Sequence, residues 1–243
     1  MGGVSAQHWT PYCGTAPLPL ELMARWNLDP LVLVFLVALA FFVHRVPAGR
    51  QPAGWAAIGV LFLLFISPFC ALGSALFTAR VVHHIILAVL LAPLLVSAFA
   101  LYERRIPGSL PLLTALQALV FWAWHAPPLY ALALSSDAVF WLMQLTITGS
   151  ATWWWARLRQ SAAGEAVLML LATMVQMGLL GALIVFSGRA LYAPHYLTTQ
   201  DWGLSVMEDQ QIAGLIMWAP ASAFYLLAAM VILYRSLRPQ SAA

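Results

Sequence analysis

The stretch LFTARVVHHIILAVLLAPLLVSAFAL, residues 76–101, carries one formal charge, Arg80, and is otherwise apolar apart from His83, His84 and a few hydroxyl groups. A helix needs about 20 mostly apolar residues to cross a bilayer, and this stretch exceeds that length. Similar stretches lie on both sides of it, at about 30–44, 54–72, 110–125, 138–156, 165–186 and 207–233. The pattern predicts an all-α, polytopic membrane protein with seven transmembrane helices. Its domains are an extracytoplasmic segment 1–29, a bundle over 30–236 and a cytoplasmic tail 237–243.

The composition leads to the same reading. Of 243 residues, 63% are hydrophobic and 8% charged, whereas a soluble domain carries roughly 25% charged residues. A soluble fold is excluded, and the apolar content supplies roughly seven spans with little left for a further domain. The net charge of +3 does not point to nucleic acid, because the arginines are single or paired and form no basic face. Segment 1–29 lacks the apolar core of a cleavable signal. Asp29-Pro30 supplies an acidic N-cap and a first-turn proline for the first span.

Arginines in short loops stay on the cytoplasmic side. Arg45, Arg50, Arg104, Arg105, Arg157, Arg159, Arg235 and Arg238 fall on one side of the seven-span scheme, and Arg25, Arg80 and Arg189 on the other. This bias sets the N-terminus outside and the C-terminus in the cytoplasm. Trp153, Trp154 and Trp155, beside Arg157, read as an interfacial anchor.

In that topology His8, His83, His84, His125 and His195 fall toward the outer side, with His44 at an inner helix end. Imidazoles gathered at one depth make a transition-metal site, and each taken singly also reads as a hydrogen-bonded polar group at a helix end. His83 and His84 are about 100° apart on a helix, so one faces into the bundle and the other a neighbour or the interface. His125 is held at a helix terminus by Pro127 and Pro128. Glu208 and Asp209 read either as helix-start acids or as part of a site. Met174, Met177 and Met217 are soft thioethers suited to Cu(I) and equally suited to filling gaps between helices. Met177, Gly178, Gly181 and Ala182 offer a small-residue face for close packing. There is no GxSxG, HExxH or Walker motif, no mid-membrane acid for a proton relay, and no facing histidine pairs for two stacked haems. One peripheral haem stays open.

Taken in order, several segments carry a resemblance. They are Tyr12-Cys13-Gly14, Arg25-Trp26-Asn27-Leu28-Asp29-Pro30, Ala79-Arg80-Val81-Val82-His83-His84, Trp124-His125-Ala126-Pro127, Gln176-Met177-Gly178, Leu191-Tyr192-Ala193-Pro194-His195, Trp202-Gly203-Leu204-Ser205, and Asp209-Gln210-Gln211 through Met217-Trp218. The chain resembles the CtaG-like family of bacterial cytochrome c oxidase assembly factors, which are polytopic and distinct from the single-span copper chaperone that sometimes shares that name. The resemblance implies a non-enzymatic protein of the bacterial inner membrane. It would bind copper, as Cu(I), and supply it to the catalytic subunit of a haem-copper oxidase, with a periplasmic copper donor upstream. Many relatives carry a histidine one turn before the position of His84 and a methionine after it, where this chain has Arg80 and Val81. The expected metal-handling residues are His84 and His125, with His83 or His195 assisting, then Asp209, Met217, Met177 and Cys13. For Cys13 three readings stand open: a disulfide with Cys70, capture of Cu(I), or no role. A haem-binding assembly protein and a metal-free scaffold for an oxidase subunit are the alternatives.

Overall fold

A computed structural model describes residue 9 and residues 11–238; His8 and the end of the tail lie outside the described residues. Among them every regular element is helical: α1 (Pro30–Arg45), α2 (Gln51–Phe65), α3 (Phe69–Ala75), α4 (Phe77–Ile86), α5 (Ala92–Ala98), α6 (Leu110–His125), α7 (Pro127–Ala133), α8 (Asp137–Leu158), α9 (Ala163–Val185), α10 (Val206–Ile216) and α11 (Ser222–Leu237). Three continuous helical runs are long and apolar enough to cross a bilayer: Phe77–Ala98, Ala163–Val185 and Val206–Leu237. Counting each bent pair, α2 with α3 (42°) and α7 with α8 (118°), as one span raises the number to five, and α1 and α6 are shorter apolar helices. Large apolar side chains such as Val37, Leu119, Val175 and Leu227 are exposed on these helices, as lipid-facing surfaces require.

The breaks have local causes. Ser67-Pro68 interrupts the expected span at 54–72, because proline disfavours helical backbone before it and donates no hydrogen bond. His125-Ala126-Pro127 ends α6 in the same way, and Pro127 starts α7. Pro93 and Pro220 leave their runs unbroken, each accompanied by a π turn, at Leu87–Leu91 and Met217–Ala221, the wide register that accommodates a missing donor. In the first of these, Leu87 O accepts from Ala92 N. The next carbonyl, Ala88, would look to residue 93, and proline has no N–H. The Trp155 indole N–H donates to it instead, at 2.9 Å.

That contact corrects the anchor reading of the tryptophan run. Trp154 is fully buried and donates to Thr114 Oγ1 at 2.8 Å, Trp155 is buried against Ala88, and Trp153 alone of the three is exposed. Two of the three rings belong to the core because α8 packs against α5 and α6 along the face that carries them.

The run α4–α5 lies at the centre, packed against α2, α3, α8 and α10, while α6 sits between α8 and α9. The small-residue face of α9 does what its pattern implies. A Cβ at Gly181 would stand 2.6 Å from the Gly214 carbonyl oxygen, and one at Gly214 would stand 2.7 Å from that of Gly181. The backbones of α9 and α10 touch there, and Met217 packs beside the contact. At the end of the bundle where α4 begins, the N-terminal segment is stitched down by a Cys13–Cys70 disulfide with Cα atoms 5.5 Å apart. The Tyr12 hydroxyl donates to Asp29, and the Trp202 indole donates to Pro17 O at 3.2 Å. The Tyr12 hydroxyl, with the Leu31 N–H at 2.8 Å, holds the Asp29 carboxyl below the usual carboxylate range.

Candidate metal site

Two of the histidines singled out in the sequence meet. His84, on the last turn of α4, places Nδ1 3.4 Å from Nε2 of His125, on the last turn of α6, with the rings perpendicular and both residues buried. His125 is locked from three sides. Its Nδ1 lies 2.7 Å from the Phe121 carbonyl, the Phe121 ring stacks on it at 4.5 Å, and its own carbonyl accepts from the Tyr192 hydroxyl at 2.9 Å. A carbonyl takes only a donor, so Nδ1 carries the proton and the Nε2 lone pair faces His84. Two imidazole nitrogens 3.4 Å apart, each at about 2.0–2.1 Å from one ion, subtend about 110° at it, an angle that suits trigonal or tetrahedral ligation. The fixed tautomer of His125 is the outer-shell support a ligating imidazole needs. His84 Nε2 is buried with no partner among the described residues.

The other expected ligands are placed elsewhere. His83 is buried next to His84 in sequence, yet its ring packs edge-on against Phe65 and stacks near Phe69, and neither ring nitrogen has a partner among the described residues. It faces a neighbouring helix, as adjacency on α4 requires. His195 spends both nitrogens on protein, with Nε2 2.6 Å from the Tyr130 hydroxyl and Nδ1 3.3 Å from the Ala75 carbonyl. Burial pushes its imidazole down to about 3; the Ala75 contact opposes the shift and the Arg80 charge adds to it. Burial also raises the Tyr192 hydroxyl above its usual range.

Asp209 uses its carboxylate to cap a helix, though not its own. Its oxygens accept from the Phe77 and Thr78 N–H groups at 2.7 and 3.1 Å, which satisfies the start of α4. The start of α10 is closed by a reciprocal Ser205–Glu208 capping box. Gln210, on the face shared with Gly214 and Met217, accepts from Leu191 N at 2.7 Å and donates to Ile184 O and Arg189 O. It pins the loop after α9. Met177 and Met217 are fully buried on α9 and at the π turn after α10. The reading of Cys13 as a copper thiolate is corrected by the disulfide: its sulfur is bonded to Cys70 and neither thiol is free to ligate. Among the described residues, no three His, Cys, Asp or Glu side chains gather as a metal-holding set. The donors that converge are the two imidazoles.

Sequence reasoning passed over Tyr130, Tyr192 and Arg80. The tyrosines have no local signal, since they matter through contacts with residues far along the chain. Arg80 did have one: it is the one charged residue in a long apolar stretch, which by default marks function. A cleft of about 830 Å³ between α1, α2, α5 and α8 runs from Asp29 to Pro107, apolar apart from Asp29, Gln144, Thr148 and Thr152, and none of the candidate histidines lines it.

A family model described as cytochrome c oxidase caa3 assembly factor matches residues 31–239. No curated protein matches the chain, and no solved structure does.

Proposed function

We propose, because this chain belongs to the cytochrome c oxidase caa3 assembly factor family, that it carries copper as Cu(I) toward the catalytic subunit of a haem-copper oxidase in the bacterial inner membrane. The observation that carries this reading is the 3.4 Å approach of His84 Nδ1 to His125 Nε2, a buried pair of borderline-soft donors with one tautomer fixed. Copper here is cargo, and the role is carriage rather than catalysis. Two protein ligands leave coordination positions open, and an ion that must be handed on needs such positions.

The topology that suits this role has seven spans, with the N-terminus outside. It counts α1 and α6, each 16 residues and so about 24 Å long, as short spans beside the three long runs and two bent pairs. The eight-to-three division of the arginines supports the orientation. It sets the α4 start, the disulfide and the histidine pair toward the periplasm, where a copper donor would deliver. The Met177 and Met217 thioethers, buried on neighbouring helices, supply soft donors for a second leg of the path, and lipid surrounds the bundle.

Purification from copper-supplemented cells, followed by metal analysis and an optical spectrum, tests the reading. Parent protein is expected to carry copper, and His84→Ala and His125→Ala each to lose it. Unchanged copper in both variants would sink the site, and a Soret band in the parent would replace copper with haem.

A further inference from the structure

Arg80 is fully buried, and its Nε, Nη1 and Nη2 have no partner within hydrogen-bond distance among the described residues. The polar group that faces it is the Tyr130 hydroxyl, which is neutral and already 2.6 Å from His195 Nε2. The ion pair found among those residues is Arg50–Glu103, elsewhere in the molecule. Asp209, the acid that approaches the start of α4, has both carboxylate oxygens engaged by Phe77 and Thr78 N–H groups. The guanidinium lies with Cζ 5.1 Å from the Phe140 ring centroid on one side. On the other it rests against α3 so closely that a Cβ at Gly73 would come within 2.9 Å of Cζ and Nη2. The next residue of α3, Ser74, has a buried hydroxyl that is also without a partner.

A cation–π contact offsets only part of the cost of burying a full charge. A guanidinium cannot shed its proton to escape that cost, as a lysine or histidine does. A buried charge is tolerated when it is paired and hydrogen-bonded, and no acid among the described residues takes the part. We infer that Arg80, with the Ser74 hydroxyl, holds a small exogenous monoanion, a halide or a short carboxylate such as formate, between α3, α4 and α8. Charge selects a monoanion: a sulfate or phosphate dianion would leave a net negative charge buried in place of the positive one. The guanidinium fork suits a carboxylate, and its outward N–H groups together with one hydroxyl equally suit a spherical halide. Arg80 and His84 are four residues apart and share one face of α4. An anion on Arg80 therefore screens its charge from the histidine pair. This last consequence rests on the copper reading; the anion site itself does not.

The test uses the full chain in detergent, following thermal unfolding by tryptophan fluorescence while chloride, bromide or formate replaces a bulky organic sulfonate at constant ionic strength. The parent is expected to show a saturable rise in Tm of about 3–5 °C, with the halide and formate arms separating the two sources. Arg80→Met is expected to lose the response and to unfold at or above the anion-free parent, because it removes an unpaired buried charge. Ser74→Ala should raise the half-saturating concentration about 2–10-fold, which keeps the test sound even where Arg80→Met folds poorly. In crystals soaked in bromide, an anomalous peak beside the guanidinium is the direct confirmation. A flat response in the parent overturns the site. So does an unaltered half-saturating concentration in the variants. An anion response in a parent that binds no copper sustains this site while the copper reading falls.

Discussion

His125 takes its orientation from the Phe121 carbonyl, the Phe121 ring and the Tyr192 hydroxyl, and only the first two come from its own helix. Its presence at a helix end could be read from the prolines that follow it, and its partner could not. His83 and His84 show the same limit, since adjacency told that they point apart without telling which one meets His125. His195 was grouped with them by side and residue type, and it turned out to brace the loop after α9 against Tyr130 and Ala75. Burial holds it neutral, with its pKa at about 3 in the fold against about 6.5 in an unfolded chain. The sign follows from proton counts: as pH falls below about 6.5 the unfolded chain takes up a proton that the folded one refuses, so stability is lost progressively toward pH 3. A His195→Gln variant is expected to show a shallower decline of Tm over that pH range than the parent. An equal slope in both would assign the pH dependence to other groups.

At the scale of elements, hydropathy located the long apolar stretches to within a few residues and missed how they bend. The break after α2, the end of α6 and both wide turns sit by a proline, whereas the 118° bend between α7 and α8 has none at its break; the sequence shows the prolines but not which outcome each one has. Pro68 ends a helix; Pro93 is absorbed into a continuous one because a distant side chain supplies the missing donor. Trp155→Phe removes that indole N–H and leaves the Ala88 carbonyl buried without a partner. It is expected to destabilise the protein by about 1–3 kcal/mol, measured as a lower denaturation midpoint, whereas Trp153→Phe at the exposed neighbour should change little. The interfacial reading of the tryptophan run failed because three consecutive residues point to different sides of a helix, and local composition cannot say which side is covered.

For the whole molecule, one covalent link ties the N-terminal segment to α3. The Cys13–Cys70 bond closes a loop with a sequence separation of 57 and holds the segment beside the start of α4. Reduction, or Cys13→Ser with Cys70→Ser, is expected to lower stability by about 2–4 kcal/mol while leaving copper content unchanged, because neither sulfur belongs to the histidine pair. Loss of copper in the double serine variant would reopen a metal role for Cys13. By itself the sequence determined the helical class, the apolar surface, the sorting of arginines along the chain and the family. Those properties are sums over segments or ordered motifs, and they do not depend on how one helix is rotated against another. Only the tertiary structure decided that His84 meets His125 and not His195, that Cys13 is spent on Cys70, that Asp209 caps α4, and that Arg80 is buried with no acid paired to it among the described residues. Each of these rests on the rotation of a helix about its axis and on contacts between residues far apart in the chain, which packing sets and no local pattern encodes.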